Sequence, residues 1–486
     1  MSIGAAMSAA LSGLSATARA AAMVSSNIAN AQTEGYTRRE LDLAARITGG
    51  AGTGVQVLGE RRVQDATLLA DLRAASGAAT GAAMQDRAFS RLTATIGLPG
   101  ETGSLSDRLA RFEAALVQAA ARPQDEARLA HVRDSAATLA SGLHSASRGV
   151  NEMRTTADAA IAEQVDRLNH GLAKVHQLNA DIQRSRTAGQ SSAVLEDLRA
   201  QTISDIADIL PIRQMERPGG VIWLYSEGGT MLLDPRPAVV GFLPTPVLDA
   251  GMTLENGALS GLTVNGRPLP TGPEYLGNGG LAAAFGLRDR LAPEAQGWLD
   301  ALAGDLIARF EAPATDPTRA PGDPGLFTDA GATLPATPAP GLAGRIALNP
   351  LVDPAAGGAL WHLRDGLGAA LPGPSGSAIG LERLVDALTT PAVPLPPAAA
   401  VGEAPGLVDH LGGLLGRLGR TAFQAEARAV EGAARLSALQ DAAARDGVDT
   451  DAELQALLVI ENAYAANARV MRTADEMLQT LLGISR

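Results

Sequence analysis

The six histidines are the residues of this 486-residue chain whose type suits metal binding or proton transfer at neutral pH. Two imidazoles share a helix face when they lie four residues apart, the spacing found in helical zinc sites. No pair has that spacing, and the closest pair is six residues apart, so its members point to different sides of a helix. We predict solvated polar positions without a metal. The histidines are His131, His144, His170, His176, His362 and His410.

Cysteine and lysine, which supply nucleophiles and phosphate contacts, are nearly missing. The chain has no cysteine, which excludes disulfides, thiolate catalysis and Cys-bearing zinc or iron–sulfur sites. Lys174 is the single lysine, so a phosphate loop built on a Gly-Lys pair cannot form. There is no Gly-x-Ser-x-Gly elbow and no Gly-x-Gly-x-x-Gly turn that follows a strand and opens a helix. We predict that the protein is not an enzyme and uses no cofactor.

Charge and hydropathy limit the partners of the chain. Its 40 Lys and Arg against 52 Asp and Glu give a net charge of −12, which argues against binding to nucleic acid. No apolar run reaches the ~20 residues of a transmembrane helix, and the N-terminus lacks the basic region of a cleaved signal peptide. We expect neither a nucleic acid nor a membrane as partner. Residence in the cytosol and export without a cleaved signal fit the composition equally well.

The strongest patterns are two apolar stripes at the ends of the chain. Residues 1 to about 30 carry an apolar position about every 3.6 residues, the period of one helix face. In residues 450–482 the apolar positions recur about every 3.4 residues, close to the 3.5-residue period of a coiled-coil seam. The stripe residues are Ile3, Met7, Leu11, Leu14, Val24 and Ile28 in the first helix, and Leu457, Ile460, Tyr464, Ala468, Met471, Leu478 and Leu481 in the last.

These two helices have two interpretations. They form an ordinary packed pair within one globular domain, or they pair with each other and bury their remaining faces against other subunits. A helix of ~30 residues is ~45 Å long, longer than the small cores indicated nearby, and isolated in water it should fray. We favour self-assembly through the terminal helices.

Between the ends, periodicity and composition indicate helices at about 63–208, 280–312 and 407–445, and an extended, loop-like segment at 37–62. β-rich runs around glycine turns lie near 211–275, including the turn pair Asn265-Gly266. We predict a mainly α, elongated fold with a small inserted β domain. Its N- and C-terminal helices pair as a coiled coil, and both halves of the chain build a helical bundle.

At ~150 residues per domain, the length indicates about three domains. We predict a terminal coiled-coil assembly domain from 1–45 with 450–486. Residues 46–210 with 276–449 form a discontinuous α-rich bundle, and 211–275 form the inserted β domain. Segments near 313–345 and 391–405 are rich in proline and glycine, and we predict that both are linkers.

The segment 25–38 has the sequence SSNIANAQTEGYTR. It resembles the N-terminal signature of the bacterial flagellar rod, hook and hook-associated axial proteins, with Glu34 where that family usually has proline. Residues 461–482 resemble the C-terminal end of the junction proteins of this family. Segments at 280–303 and 348–350 also fit those members, so the resemblance covers both ends and several internal positions.

The resemblance implies a structural protein that joins the flagellar hook to the filament. Such proteins are exported unfolded through the flagellum-specific type III apparatus and form a ring of subunits at the hook tip. The implied partners are other copies of the chain, the hook protein, a second junction protein toward the filament, and a cytosolic export chaperone on the C-terminal helix. The implied location is extracellular, at the hook–filament junction, after a transient cytoplasmic stage. The stripe residues would contact the chaperone first and neighbouring subunits later.

Asn27, Asn30, Thr33, Gly35 and Tyr36 form the turn motif of the resemblance. The asparagines either simply end the first helix or turn the chain from an inner helix toward an outer domain, and we favour the second. Gly35 takes a positive φ at little cost. Tyr36 is buried locally or anchors the extended segment against another subunit, and the sequence does not decide between these.

Two other functions stay open at this point. A paralogous axial protein, such as a rod, hook or filament subunit, would occupy another position along the flagellum. An unrelated secreted coiled-coil adhesin or effector would bind host cells and would not depend on flagellar genes.

Overall fold

The computed structural model describes residues 3–33, 35–48, 51–390, 406–445 and 447–484, and helices dominate it. The helices are α1 (Ile3–Ala29), α2 (Ala66–Ile96), α3 (Leu105–Ala121), α4 (Glu126–Thr187), α5 (Ala193–Ile209), α6 (Pro273–Leu276), α7 (Gly280–Gly286), α8 (Ala292–Glu311), α9 (His362–Asp365), α10 (Ile379–Thr389), α11 (Leu407–Arg445) and α12 (Thr450–Ile484). The strands are β1 (Arg39–Thr48), β2 (Ala51–Arg62), β3 (Ile212–Arg217), β4 (Val221–Ser226), β5 (Met231–Leu233), β6 (Val240–Gly241), β7 (Leu262–Val264), β8 (Arg267–Leu269), β9 (Phe327–Asp329) and β10 (Ile346–Leu348). The predicted mainly α fold with long terminal helices and small sheets is confirmed.

The chain divides into two compact units. Unit 1 comprises Met1–Ala79, Arg167–Val239 and Gly432–Arg486, and unit 2 comprises Thr80–Asp166 and Val240–Glu431. The three-domain division stays a prediction. The strands predicted for the insertion at 211–275 are shared between the units, with β3–β5 in unit 1 and β6–β8 in unit 2.

In unit 1, the segment predicted as extended and loop-like is a long antiparallel hairpin of β1 and β2. Its glycines concealed the strands, because glycine has low strand propensity. At Gly54, with φ +130°, a Cβ would overlap Ser12 Oγ of α1. The missing side chain lets β2 approach α1, where Val55 N donates to Ser12 Oγ at 3.1 Å.

A three-stranded antiparallel sheet of β3, β4 and β5 completes the β structure of unit 1. The predicted hairpin of two β-rich runs around a glycine turn is confirmed in β4 and β5. Alternate residues of β4, including Ile222 and Leu224, are buried, as expected for a strand with one covered face.

In unit 2, β6, β7 and β8 form a second antiparallel sheet. The predicted turn between β7 and β8 is confirmed: Asn265 and Gly266 both have positive φ, +51° and +77°. Two positive φ angles are what a tight two-residue hairpin turn requires.

The prediction that 313–345 is a linker is wrong, because this segment enters the core of unit 2. Phe327 is fully buried, and its ring centroid lies 5.6 Å from that of Phe112 and 5.3 Å from that of Phe310. At Gly325 a Cβ would overlap the backbone carbonyl of Phe310, so glycine here permits close packing. The second predicted linker, 391–405, lies outside the described residues.

Candidate assembly interface

Helices α1 and α12, both in unit 1, pack against each other in antiparallel directions. Asn27, near the end of α1, donates to Glu453, near the start of α12, at 3.2 Å. Toward the other ends, Gly13 lies so close to Asn467 that a Cβ on Gly13 would come 2.8 Å from the amide of Asn467. The predicted pairing of the terminal helices is confirmed.

Small residues form the covered face of α1. Small side chains let two helix axes approach closely, so the contact is made largely by backbone and short side chains. The large apolar residues predicted from periodicity lie mostly beside this face. The buried positions are Ala10, Ala16, Met23, Val24 and Asn27, and the half-buried Gly13 lies against Asn467.

The predicted stripe of α1 is therefore only partly covered. Val24 is buried, whereas Leu11 is 59% exposed. The other four predicted residues are half-buried: Ile3, Met7, Leu14 and Ile28.

The predicted stripe of α12 is more exposed than that of α1. Tyr464 and Leu481 are exposed, and among the described side chains of this helix only Glu453 and Ala474 are buried. The remaining predicted residues are half-buried: Leu457, Ile460, Ala468, Met471 and Leu478.

A further apolar row on α12, which we name the outer stripe, lies beside the face that packs against α1 and shares Leu481 with the predicted stripe. It consists of Val459, Val470, Met477 and Leu481, exposed by 68, 47, 50 and 54%. Their separations of 11, 7 and 4 residues are close to three, two and one helical turns, so they share one face. An exposed apolar row of this length is typical of a contact surface.

Asn27 of the turn motif lies where the helix pair ends and is 1% exposed. Its side-chain amide uses all of its hydrogen-bonding capacity. Its Nδ2 donates to Arg39 O at 3.0 Å and to Glu453 Oε2 at 3.2 Å. Its Oδ1 accepts from Tyr36 OH at 2.8 Å and from Arg39 N at 3.2 Å. Asn27 thus joins α1, α12 and the start of β1 rather than only ending a helix.

Glu453 is the charged partner of Asn27. It is 2% exposed and accepts from Arg38 Nε at 2.7 Å. The hydrogen bond to Glu453 raises the pKa of Arg38 above its ordinary value. A buried ion pair of this kind depends on both partners, because losing either one leaves an uncompensated buried charge.

The other motif residues build the turn itself. Asn30 Nδ2 donates to Ser26 O at 2.9 Å, and Thr33 Oγ1 donates to Asn30 Oδ1 at 3.3 Å. Gly35 has φ +78°, as predicted. Tyr36 is half-buried, and the guanidinium of Arg39 lies 4.8 Å from its ring centroid.

A second charged cluster fixes the hairpin to α5. Asp197 accepts from Arg39 and from Arg62, each at 2.9 Å, and all three side chains are largely buried. Neither the periodicity nor the turn motif indicated the roles of these charged residues: Arg38, Arg39, Arg62, Asp197 and Glu453. The charged pair Arg38-Arg39, two residues after Tyr36, was the available signal, because charges beside a buried turn need partners.

The histidines do not behave uniformly. His131, His170 and His176 are exposed, as predicted, but His144, His362 and His410 are half-buried. His410 Nδ1 lies 2.9 Å from Asp305 Oδ2, so this histidine belongs to a packed polar contact. The described ranges contain no group of three or more His, Asp or Glu residues placed to hold a metal ion. No helix in the described part of the chain is long and apolar enough to cross a bilayer.

Three protein families match different parts of the chain. Residues 7–37 match the flagella basal body rod protein family, and residues 440–484 match the C-terminal family of the flagellar basal body rod FlgEFG proteins. Residues 90–326 match the helical domain of flagellar hook-associated protein FlgK. The first two matches cover the paired terminal helices and the turn motif.

Known proteins agree with these matches. Flagellar hook-associated protein 1 of Bacillus subtilis is 22% identical to the chain over 96% of each sequence. The protein of the same name from Salmonella typhimurium is 29% identical over 47% of this chain and 42% of its own length. The flagellar hook junction protein FlgK from Burkholderia pseudomallei has a TM-score of 0.45 and 19% identity, over 53% of this chain and 46% of its own.

The middle of the chain and both of its ends therefore match one class of axial protein, and the B. subtilis relative aligns along nearly the whole length. The chain is similar to flagellar hook-associated protein 1 along nearly its whole length, and these matches support a structural role at the hook–filament junction of the bacterial flagellum.

Proposed function

We propose that the terminal helix pair is the surface through which copies of this chain join one another in the flagellum. The observation that carries the proposal is the outer stripe of α12, which stays exposed although α1 covers another face of the same helix. Burying one aliphatic side chain contributes about 1.5–3 kcal/mol. Four such residues offset much of the entropy lost on association, and repetition around a ring adds to this.

The proposed interface contains the sequence-predicted stripes as well as the outer stripe. The partial exposure of all of them except Val24 supports the proposal, since a finished globular core would bury large aliphatic residues. The residues are Ile3, Met7, Leu11, Leu14, Val24, Ile28, Leu457, Ile460, Tyr464, Ala468, Met471, Leu478 and Leu481. The turn of Asn27, Asn30, Thr33, Gly35 and Tyr36 directs the chain from α1 into the β1–β2 hairpin.

The same surface explains the proposed partners. The assembled ring contacts the hook protein on one side and a second junction protein on the filament side. Before export, a cytosolic chaperone covers the apolar face of α12, which is otherwise an aggregation hazard. The protein is thus cytoplasmic only transiently and acts outside the cell, in the flagellum. Its role is mechanical, without catalysis.

Substitution in the outer stripe tests the proposal. In the source bacterium with its own copy deleted, a V470E M477E chain should be exported but missing from isolated flagella, and swimming should be lost. Both positions are exposed, so the circular dichroism of the purified chain should not change. The control is A465E Q479E, two exposed positions on the side of the same helix opposite the outer stripe, which should assemble normally.

Antibody labelling of isolated flagella then gives the position of the wild-type chain. Label at a single site between hook and filament supports the proposal. Label along the rod, hook or filament would assign the chain to a paralogous axial part. Normal incorporation of the V470E M477E chain would contradict the outer stripe as the assembly surface.

A further inference from the structure

The loop between β6 and β7, in unit 2, presents two aliphatic side chains to solvent. Leu243 is 77% exposed and Val247 is 76% exposed. Pro244 and Pro246 flank them and restrict the backbone. An exposed apolar loop tip needs an explanation, because loops of soluble proteins are usually polar.

A buried guanidinium supports this loop through hydrogen bonds to its backbone. Arg154 of α4 is 2% exposed. It donates to Asp249 O at 2.8 Å, to Met252 O at 2.5 Å and to Arg288 O at 3.2 Å. Its hydrogen bonds thus fix the loop backbone at two points.

A second buried guanidinium completes the support. Arg288 is 0% exposed and donates to Asp158 Oδ1 at 2.7 Å and to Ser260 O at 2.9 Å. The other oxygen of Asp158 accepts from Thr245 N, between the two prolines, at 2.7 Å. Burying two arginines is costly unless each is paired and hydrogen-bonded. The result is a loop whose conformation is set before it meets a partner, which reduces the entropy lost on binding.

Unit 2 also contains an open apolar groove between α2 and α4, with a volume of about 290 Å³. Met84, Leu92, Met153, Ala157 and Leu287 line it. Its rim carries Arg87, Arg91 and Glu152, all exposed. Within the described ranges neither of the two rim arginines has an ion-pair partner.

The groove and the loop lie on different sides of α4. Arg154 and Asp158 face the loop, whereas Gly149, Met153, Thr156 and Ala160 face the groove. At 3.6 residues per turn the mean directions of these two sets differ by roughly 150°. A chain therefore presents its loop on one side and its groove on nearly the opposite side, the arrangement needed for a repeating head-to-tail contact.

The charges of the two surfaces are complementary. Asp249 and Glu255 are exposed on the loop, and two arginines against one glutamate border the groove. We propose that the 243–255 loop of one copy docks in the α2–α4 groove of the next copy, with Leu243 and Val247 inside and the acids of the loop near Arg87 and Arg91. This inference rests on the proposed function, because it names a second contact between copies that assemble in one ring.

The absence of native cysteine permits a direct test by cross-linking. A V247C T156C chain places one thiol on the loop and one in the groove, both at exposed positions. Isolated flagella treated with a short bismaleimide should give a ladder of bands at multiples of 49.5 kDa. V247C alone and T156C alone should give less than about a tenth of the multimer yield.

Charge reversal gives a second measurement in the same V247C T156C background. E255R or R91E alone should lower the multimer yield by roughly fivefold, the size expected when an exposed ion pair becomes a like-charge contact. The combined E255R R91E chain should recover the yield, because each contact then pairs the reversed charges.

The outcomes separate the two proposals. Chains that enter the flagellum but give no ladder overturn the loop–groove contact and leave the proposed function intact. Dimers from V247C alone, or cross-links only to a different flagellar protein, also overturn it. Absence of the wild-type chain from the flagellum overturns both.

Discussion

At Asn27, all four hydrogen-bonding capacities of one side-chain amide are used, two as donor and two as acceptor. The partners come from α12, from Tyr36 and from the backbone of Arg39. No other amino acid has this set of donors and acceptors at this length. The residue therefore fixes the relative position of three segments. Removing it should lower the free energy of unfolding more than removing an ordinary helix-ending asparagine.

We predict that N27A lowers the free energy of unfolding by about 2–4 kcal/mol, because several buried groups lose their partner at about 1–3 kcal/mol each. Chemical unfolding followed by circular dichroism measures the change. The matched control is N30A, whose contacts are local and partly exposed, and it should cost less than about 1 kcal/mol. Equal effects of the two substitutions would contradict the role of Asn27.

Glu196 makes stability depend on pH in unit 1. It accepts from Ser192 Oγ at 2.6 Å and from Arg186 at 2.8 Å. Burial acts to raise the pKa of Glu196, but these hydrogen bonds outweigh it and hold the pKa below the ordinary 4.5. A depressed carboxyl pKa stabilises the fold above the ordinary value, and this contribution is lost as the pH falls through the lower folded value.

We therefore predict that E196Q costs about 1.5 kcal/mol at pH 7 and less near pH 3, where a larger share of the wild-type carboxyl is protonated. Thermal unfolding at both pH values tests this, with E461Q at an exposed position of α12 as control. An E196Q effect of the same size at both pH values would show that the ionised carboxylate is not what stabilises the contact.

Single residues were predicted unevenly from the sequence. The motif gave Asn27, Gly35 and Tyr36, since a turn needs their chemistry whatever surrounds it. Glu453 and Asp197 were missed because their partners are far away in the chain. Glu453 pairs with Arg38, and Asp197 pairs with Arg62. Periodicity finds local faces and carries no signal for such distant pairs.

At the scale of elements, the α1–α12 pair shows why the predicted stripes were displaced from the covered face. Periodicity weighs large aliphatic residues most, yet Gly13 is the residue of α1 that lies against Asn467 of α12, and Ala10 and Ala16 are among the buried positions of α1. Close approach of two backbones selects small residues. The large residues beside this contact stay partly exposed, which leaves them available to another chain.

We predict that G13V separates the two helices, because its side chain overlaps the amide of Asn467. Overpacking of this kind costs about 1–3 kcal/mol. Hydrogen exchange of α1 and α12 should accelerate at least about fivefold, and N467A should partly reverse the effect. G4V is the matched control, since a Cβ at Gly4 meets nothing within 4 Å. Unchanged exchange in G13V would contradict the close contact.

The 313–345 segment was predicted as a linker but is packed in the core of unit 2. Its proline and glycine content is typical of a linker, but Phe327 anchors it between Phe112 and Phe310. We predict that F327A lowers the free energy of unfolding by about 3–5 kcal/mol, as measured by chemical unfolding. The same substitution at Phe423, which is 70% exposed, should cost less than about 0.5 kcal/mol. A small effect of F327A would restore the linker interpretation.

The start of α3 was predictable, because helix capping depends on residues that are close together in the chain. The pattern of Ser104 with Asp107 indicates a helix start, and Ser104 Oγ accepts from Asp107 N at 3.2 Å at the start of α3. The division of the β segments between two units was not predictable. It depends on which helices each strand packs against, and nothing in a strand's own residues records that.

At the scale of the whole molecule, the likeness to flagellar hook-associated proteins was visible in the sequence because both ends and the middle carry segments typical of those proteins. The division into two units was not visible, because α2, α4 and α11 each contribute residues to both units, whereas sequence reasoning placed boundaries between elements. We propose that α12 uses one face for its own α1 and the outer stripe beside it for neighbouring copies.

Labelling of a single cysteine tests this claim most directly, since the native chain has none. In a V470C chain, maleimide should modify the free protein rapidly and the protein in intact flagella at least about tenfold more slowly, because a neighbour covers the outer stripe. L371C, at a position 79% exposed in unit 2, should react at similar rates in both states. Equal labelling of V470C in free and assembled protein would contradict the account.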